Sequence, residues 1–115
     1  MEKKEILRKK IERYIKENTL TASLDELSVL LGYSSVYTAK LVKAITGSTF
    51  KKLLQAARLN IAARRLCSSD KKIGEIILEC GYENESFFRR IFKKEFGMTP
   101  LNYRRQKRRC KNSKK

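Results

Sequence analysis

The chain states one pattern twice, and that repetition constrains its fold more than any single motif. Leu24 to Leu53 and Ile73 to Tyr103 run in parallel. In the first copy, Glu26 and Leu27 lead to Gly32-Tyr33; then come Leu41-Val42-Lys43, Gly47, Thr49 and Leu53. The second gives Glu75-Ile76, Gly81-Tyr82, Ile91-Phe92-Lys93, Gly97, Thr99 and Tyr103. The copies lie 49 residues apart up to the Gly-Tyr pair and 50 apart from Tyr37/Phe87 onward, so the second turn is one residue longer. A period of this size marks duplication of one supersecondary unit.

Charge then narrows what such a device touches. The 115 residues carry 28 Lys and Arg against 12 Asp and Glu, a net charge of +16. That surface attracts a polyanion: nucleic acid, anionic membrane or acidic protein. No 18-residue apolar run is present, so no transmembrane helix is expected. The start, Met1-Glu2-Lys3-Lys4-Glu5, leads into no apolar stretch and does not read as a secretory signal. Cys67, Cys80 and Cys110 lack metal-ligand spacing and there is no His; no metal site or cofactor is expected. Reduced thiols and a cytoplasmic location fit best.

Local signals are helical throughout. Ile6/Leu7, Ile11, Tyr14 and Ile15 recur at helical spacing and give a first amphipathic helix. Ser23 with Glu26 three residues on reads as a capping box for a second, which Gly32 stops. Ser34 caps a third, closed by Gly47, and Thr49 opens a long fourth that reaches about Cys67. After Ser68-Ser69-Asp70 the second copy supplies a helix over 73–80, one from Asn84 to about Phe96, and a last one opened by Thr99-Pro100. The expectation is all-α: seven helices forming two helix-turn-helix subdomains joined by a long linker helix. The corresponding boundaries are 1–48, linker 49–68, 69–106, and a basic tail over 107–115. The run from Arg104 to Lys115 is expected to be frayed, and either to add non-specific phosphate attraction, as Lys3, Lys4, Lys9 and Lys10 are expected to do, or to be plain solvated disorder.

The fourth helix carries two opposed apolar half-stripes. Phe50, Leu53, Leu54, Ala57 and Ile61 fall on one side; Leu59, Ala62, Ala63 and Leu66 fall on the other. A helix patterned in this way is a strut, its first half packed on one unit and its second half on the other.

Two short helices joined through a Gly turn, the second with a polar outward face, form a helix-turn-helix. Thr38, Leu41, Val42 and Ile45 are expected to point inward, leaving Ser35, Val36, Ala39 and Lys40 outward. In the second unit Phe88, Ile91 and Phe92 point inward, leaving Glu85, Ser86, Arg89 and Arg90 exposed. One helix fits the major groove of B-DNA, and arginine can grip guanine O6 and N7 bidentately. Glu85, four residues before Arg89, can hold that guanidinium or accept from cytosine N4.

These residues resemble the AraC/XylS-type DNA-binding domain of bacterial transcription regulators, from the first helix to about Arg105. The resemblance is sharpest in the second unit: Ile73, Glu75-Ile76, Gly81-Tyr82, Ser86-Phe87-Phe88, Arg90, Phe92-Lys93-Lys94, Gly97, Thr99-Pro100 and Tyr103-Arg104. Arg58-Leu59, Ala62 and Leu66 match in the linker. The resemblance implies a sequence-specific transcription regulator, not an enzyme, that binds an asymmetric double-stranded DNA site as a monomer. The family's base-reading positions fall on Val36, Ala39 and Lys40, and on Glu85, Ser86, Arg89 and Arg90. It further implies RNA polymerase as a protein partner. No effector-binding segment is read in these residues, which suit a small regulator or the DNA-binding part of a longer one.

The sequence departs from the family pattern in three respects. Ile77 stands where a small Ala is usual and is expected to bear on the tilt of the second recognition helix. Lys72 replaces a capping residue and Gly74 sits in the first turn after it, each costing that helix about 1 kcal/mol. Val42 stands where a Phe is common. A linker of about 18 residues is about 27 Å long, short of the roughly 34–36 Å between successive major-groove segments, so DNA is expected to bend for both units to engage.

Other classes fare worse. Without His, a phosphate-cradling Gly-rich loop or a visible nucleophile–base pair, catalysis has little to stand on. Adsorption to anionic lipid through the first helix is a second alternative, but its stripe is better used in packing. Cys80 as a redox sensor is a third; its register with Leu31 points instead to a buried structural thiol.

Overall fold

The computed structural model describes the backbone over residues 2–113 and the side chains over 3–107. Cys110 and the other side chains beyond Lys107 lie outside the described residues. Seven helices and no strand occur among them: α1 Glu2–Glu17, α2 Leu24–Leu31, α3 Ser35–Thr46, α4 Phe50–Ser68, α5 Ile73–Glu79, α6 Glu85–Phe96 and α7 Pro100–Ser113. The all-α expectation holds. Of the run expected to be frayed, the part up to Ser113 is helical as the continuation of α7, and 114–115 lie outside the described residues. Nothing after Pro100 breaks a helix: the run is rich in Arg and Lys, both good helix formers.

The chain divides into two compact units, one up to Ala57 and one from Arg58 onward. Each has its own core and is built from four helical segments around the same motif. In the first unit, α1 and the N-terminal part of α4 flank α2–α3; Ile11, Tyr14, Leu27, Val42 and Leu54 are buried there. In the second, the C-terminal part of α4 and α7 flank α5–α6, burying Leu59, Leu66, Ile76, Phe88 and Phe92. The change of apolar face along α4 is therefore used as expected, with one correction. Ile61 packs against the second core, not the first, because it lies beyond the unit boundary at Ala57.

The expected capping box is only half made. The Ser23 hydroxyl accepts from the Glu26 N–H at 3.1 Å, but the Glu26 carboxylate does not return to Ser23. It accepts instead from the Tyr14 hydroxyl at 2.6 Å, while the Ser23 N–H donates to that same hydroxyl at 2.9 Å. Tyr14 thus stands between the two halves of the box and ties α1 to the start of α2.

The turns repeat closely. Gly32 and Gly81 have φ of +80° and +89°, the left-handed region where a Cβ is strained. The next N–H folds back in both copies: Tyr33 N donates to Ser28 O at 3.0 Å, and Tyr82 N to Ile77 O at 3.2 Å. The bulk of Ile77 goes into the second core, where it is fully buried. Later in each copy, Thr49 and Thr99 accept through their hydroxyls from the N–H groups of Lys52 and Asn102. Cys80 is buried as its register with Leu31 implied, and burial pushes its thiol pKa up.

Candidate nucleic-acid interface

Each motif presents its second helix outward. Ser34 starts α3 by accepting from the Tyr37 N–H, and Asn84 starts α6 by accepting from the Phe87 N–H. Both helices bury one stripe, Thr38, Val42 and Ile45 in α3 and Phe88 and Phe92 in α6. The opposite stripe stays in water: Val36 (69% exposed), Ala39 and Lys40 in α3; Glu85, Ser86, Arg89 and Arg90 in α6. Ser35 departs from this pattern. It is half-buried, and its hydroxyl donates to Asp25 Oδ1 at 2.6 Å, joining α3 to the first turn of α2.

The α6 face is organised ahead of any ligand. Glu85 and Arg89 form an i,i+4 ion pair at 3.7 Å, in the favoured order with the acid N-terminal. The Arg90 guanidinium lies over the Phe87 ring, 5.6 Å from its centroid, so an aromatic face steadies the second arginine. The Glu85 carboxylate also lies against Gly74 in the first turn of α5. That turn has no side-chain cap from Lys72. The counterpart of Phe87 in α3 is Tyr37, which is half-exposed and in edge contact with Tyr33 at 4.9 Å between ring centroids.

The sequence marks Tyr37 and Phe87 as register positions, and Phe87 as a motif residue, but does not place them on the outward faces. Their recurrence as aromatics at one register, one residue before a buried position, was the available signal. Arg104 needs the opposite correction. It does not belong with the freely basic tail, because its guanidinium donates to the carbonyls of Leu66 at 2.8 Å, Ser69 at 3.1 Å and Lys71 at 2.8 Å.

Among the described residues no group of three or more His, Cys, Asp or Glu is placed to hold a metal ion, and no helix is long and apolar enough to cross a membrane. Two helix-turn-helix units on a strongly basic chain, each with an exposed second helix, define a DNA-binding domain.

Comparison with known proteins specifies the class further. The helix-turn-helix domain family matches residues 10–106. The regulatory protein SoxS of Salmonella typhimurium is 30% identical over 71% of this chain and 77% of its own length. The transposon Tn10 TetD protein of Escherichia coli is 38% identical over 73% of this chain and 61% of its own. Among solved structures, the C-terminal domain of AraT, a response regulator from Geobacillus stearothermophilus, superimposes with a TM-score of 0.71 at 31% identity; the match covers 88% of this chain and 84% of that one. The chain belongs to the AraC/XylS-type helix-turn-helix family of DNA-binding transcription regulators.

Proposed function

We propose that the chain reads an asymmetric duplex site as a monomer, with α3 and α6 entering successive major-groove segments. The observation that carries this reading is the chemical inequality of two faces built on one scaffold. The α3 face offers Val36, Ala39 and Lys40, apolar or small groups suited to a thymine methyl plus one cation. The α6 face offers Arg89 and Arg90, both already steadied by neighbours and suited to guanine. A symmetric dimer would present each face twice; one chain with two unlike faces needs two unlike half-sites.

Val36, Ala39, Lys40, Ser86, Arg89 and Arg90 are the base-reading candidates in this proposal, with Ser35 fixing the base of α3 through Asp25. The boundaries 1–48, 49–68, 69–106 and 107–115 serve as its working division. Bending the duplex so that both faces engage costs about 1–6 kcal/mol, offset by the second set of contacts. Contact with RNA polymerase and residence in the cytoplasm complete the picture.

Selection of binding sites from random duplexes with the purified chain is the decisive experiment. Two dissimilar conserved blocks about one helical turn apart, bound one chain per duplex in a gel shift, are the expected result. A palindromic consensus, or a single block, overturns the reading. Circular permutation of the selected site is expected to show bent DNA; a straight duplex in the complex removes the bending step.

A further inference from the structure

The two motifs differ at one junction in a way that exchanges an acid between helices. In the first unit, Asp25 sits in the first turn of α2 and receives the Ser35 hydroxyl from α3 at 2.6 Å. In the second unit, the residue in register with Asp25 is Gly74 and the one in register with Ser35 is Glu85. The carboxylate has moved from the first helix of the motif to the second. The space for it is Gly74 itself: a Cβ there would meet Glu85 Oε1 at 2.8 Å, with Cδ at 3.6 Å and Oε2 at 3.9 Å.

From that position Glu85 does one more thing that Ser35 cannot. Its other carboxylate oxygen, Oε2, lies 3.7 Å from Arg89 Nη2. Its counterpart pair in α3, Ser35 and Ala39, holds no such link because residue 39 has no charge. A carboxylate turned back onto α5 and paired to an arginine already has a partner that competes with a cytosine amino group.

We infer that Gly74 and Glu85 together are a specificity device: the missing side chain at residue 74 lets Glu85 fold back against α5, and from there Glu85 positions the Arg89 guanidinium for its base. Glu85 is therefore a positioning residue, acting through Arg89, and Gly74 determines where it stands. This rests on the proposal that α6 reads base edges.

The device is unusually open to test, because what an added Cβ would meet is the far end of a flexible side chain and not backbone. Gly74→Ala displaces the carboxylate while improving the helix propensity of α5. Duplexes carrying the selected site, and every single base-pair change of it, would be titrated by fluorescence anisotropy with the full chain, alongside thermal melts of each variant. Gly74→Ala is expected to melt at or above the wild-type temperature. It is also expected to lose about fivefold or more of the discrimination at one base pair, the pair whose discrimination Arg89→Ala abolishes. Glu85→Ala loses the same discrimination, and adding Gly74→Ala to it changes nothing further, since the two act through one carboxylate. Gly74→Asp combined with Glu85→Ser, which rebuilds the junction of the first unit, folds and shows the same loss.

Retention of every wild-type base preference by Gly74→Ala overturns the inference, as does a Gly74→Ala effect that persists without Glu85. A wild-type chain with no sequence preference fails at the preceding step, the selection itself, and refutes base reading by α6 together with this device.

Discussion

The Tyr14 hydroxyl donates to the Glu26 carboxylate at 2.6 Å and accepts from the Ser23 N–H at 2.9 Å, so a single side chain of α1 closes the start of α2. The ring is buried while its oxygen reaches the surface turn. Tyr14→Phe keeps the packing and removes both bonds; a loss of about 1.5–3 kcal/mol is expected, typical for a hydrogen bond to a charged group. Urea denaturation at neutral pH measures it.

The same residue gives the first unit a pH dependence. Burial chiefly, then the bond to Glu26, raises the Tyr14 pKa above its ordinary value of 10.0. A folded-state pKa raised above the unfolded one means that the stabilisation is complete below about pH 10 and is lost as pH climbs through the folded value. The stability gap between wild type and Tyr14→Phe is expected to narrow above that pH. A gap that stays constant to about pH 11 would show that the hydroxyl titrates alike in both states.

Thr38 is fully buried in α3, and its hydroxyl has no hydrogen-bond partner. Its counterpart in α6 is Phe88, so the position does not require a polar atom. Thr38→Val keeps the branched shape and removes an unmet bond; the variant is expected to be more stable by about 1 kcal/mol. A less stable variant, by the same denaturation measurement, would show that the hydroxyl finds a partner in solution.

Arg90 projects from α6 over Phe87. Arg90→Ala is expected to weaken binding to the selected site by about 1–3 kcal/mol and to relax preference at one position of one block. Equal losses on selected and random duplexes would instead make it a phosphate-binding residue. Phe87→Leu keeps the charge but removes the ring beneath it, and a smaller loss in the same block is expected.

Removal of Lys107–Lys115 tests the sequence-derived role of the basic end. Each lysine or arginine that no longer neutralises a phosphate lowers the slope of log affinity against log salt by about 0.9. A shallower slope with unchanged base preference is the expected outcome of anisotropy titrations between low and physiological salt. A changed preference would place these residues in base reading.

Much of this protein is legible in its residues because the signals are local. Seven helices follow from apolar spacing, N-cap side chains and Gly stops, all of which act within a turn or two of the chain. The repeat also equates Asp25 with Gly74 and Ser35 with Glu85. Ile61 is misassigned by its spacing because an angular position on a helix does not state where one core ends and the next begins. Arg104 is misassigned for a related reason: a cation beside a basic run looks free until the carbonyls of Leu66, Ser69 and Lys71 are brought around it by folding.

By itself the sequence determined a duplicated all-helical DNA-binding unit with unlike outward faces, since helical periodicity and charge are properties of neighbours along the chain. Only the tertiary structure decided which polar groups are committed and which are free. Glu26 turns to Tyr14 instead of Ser23, Ser35 turns to Asp25, and Glu85 fills the space that Gly74 leaves. Each of those partners lies at least ten residues away in the chain, and a hydrogen bond or an excluded volume exists only once the fold has closed that distance.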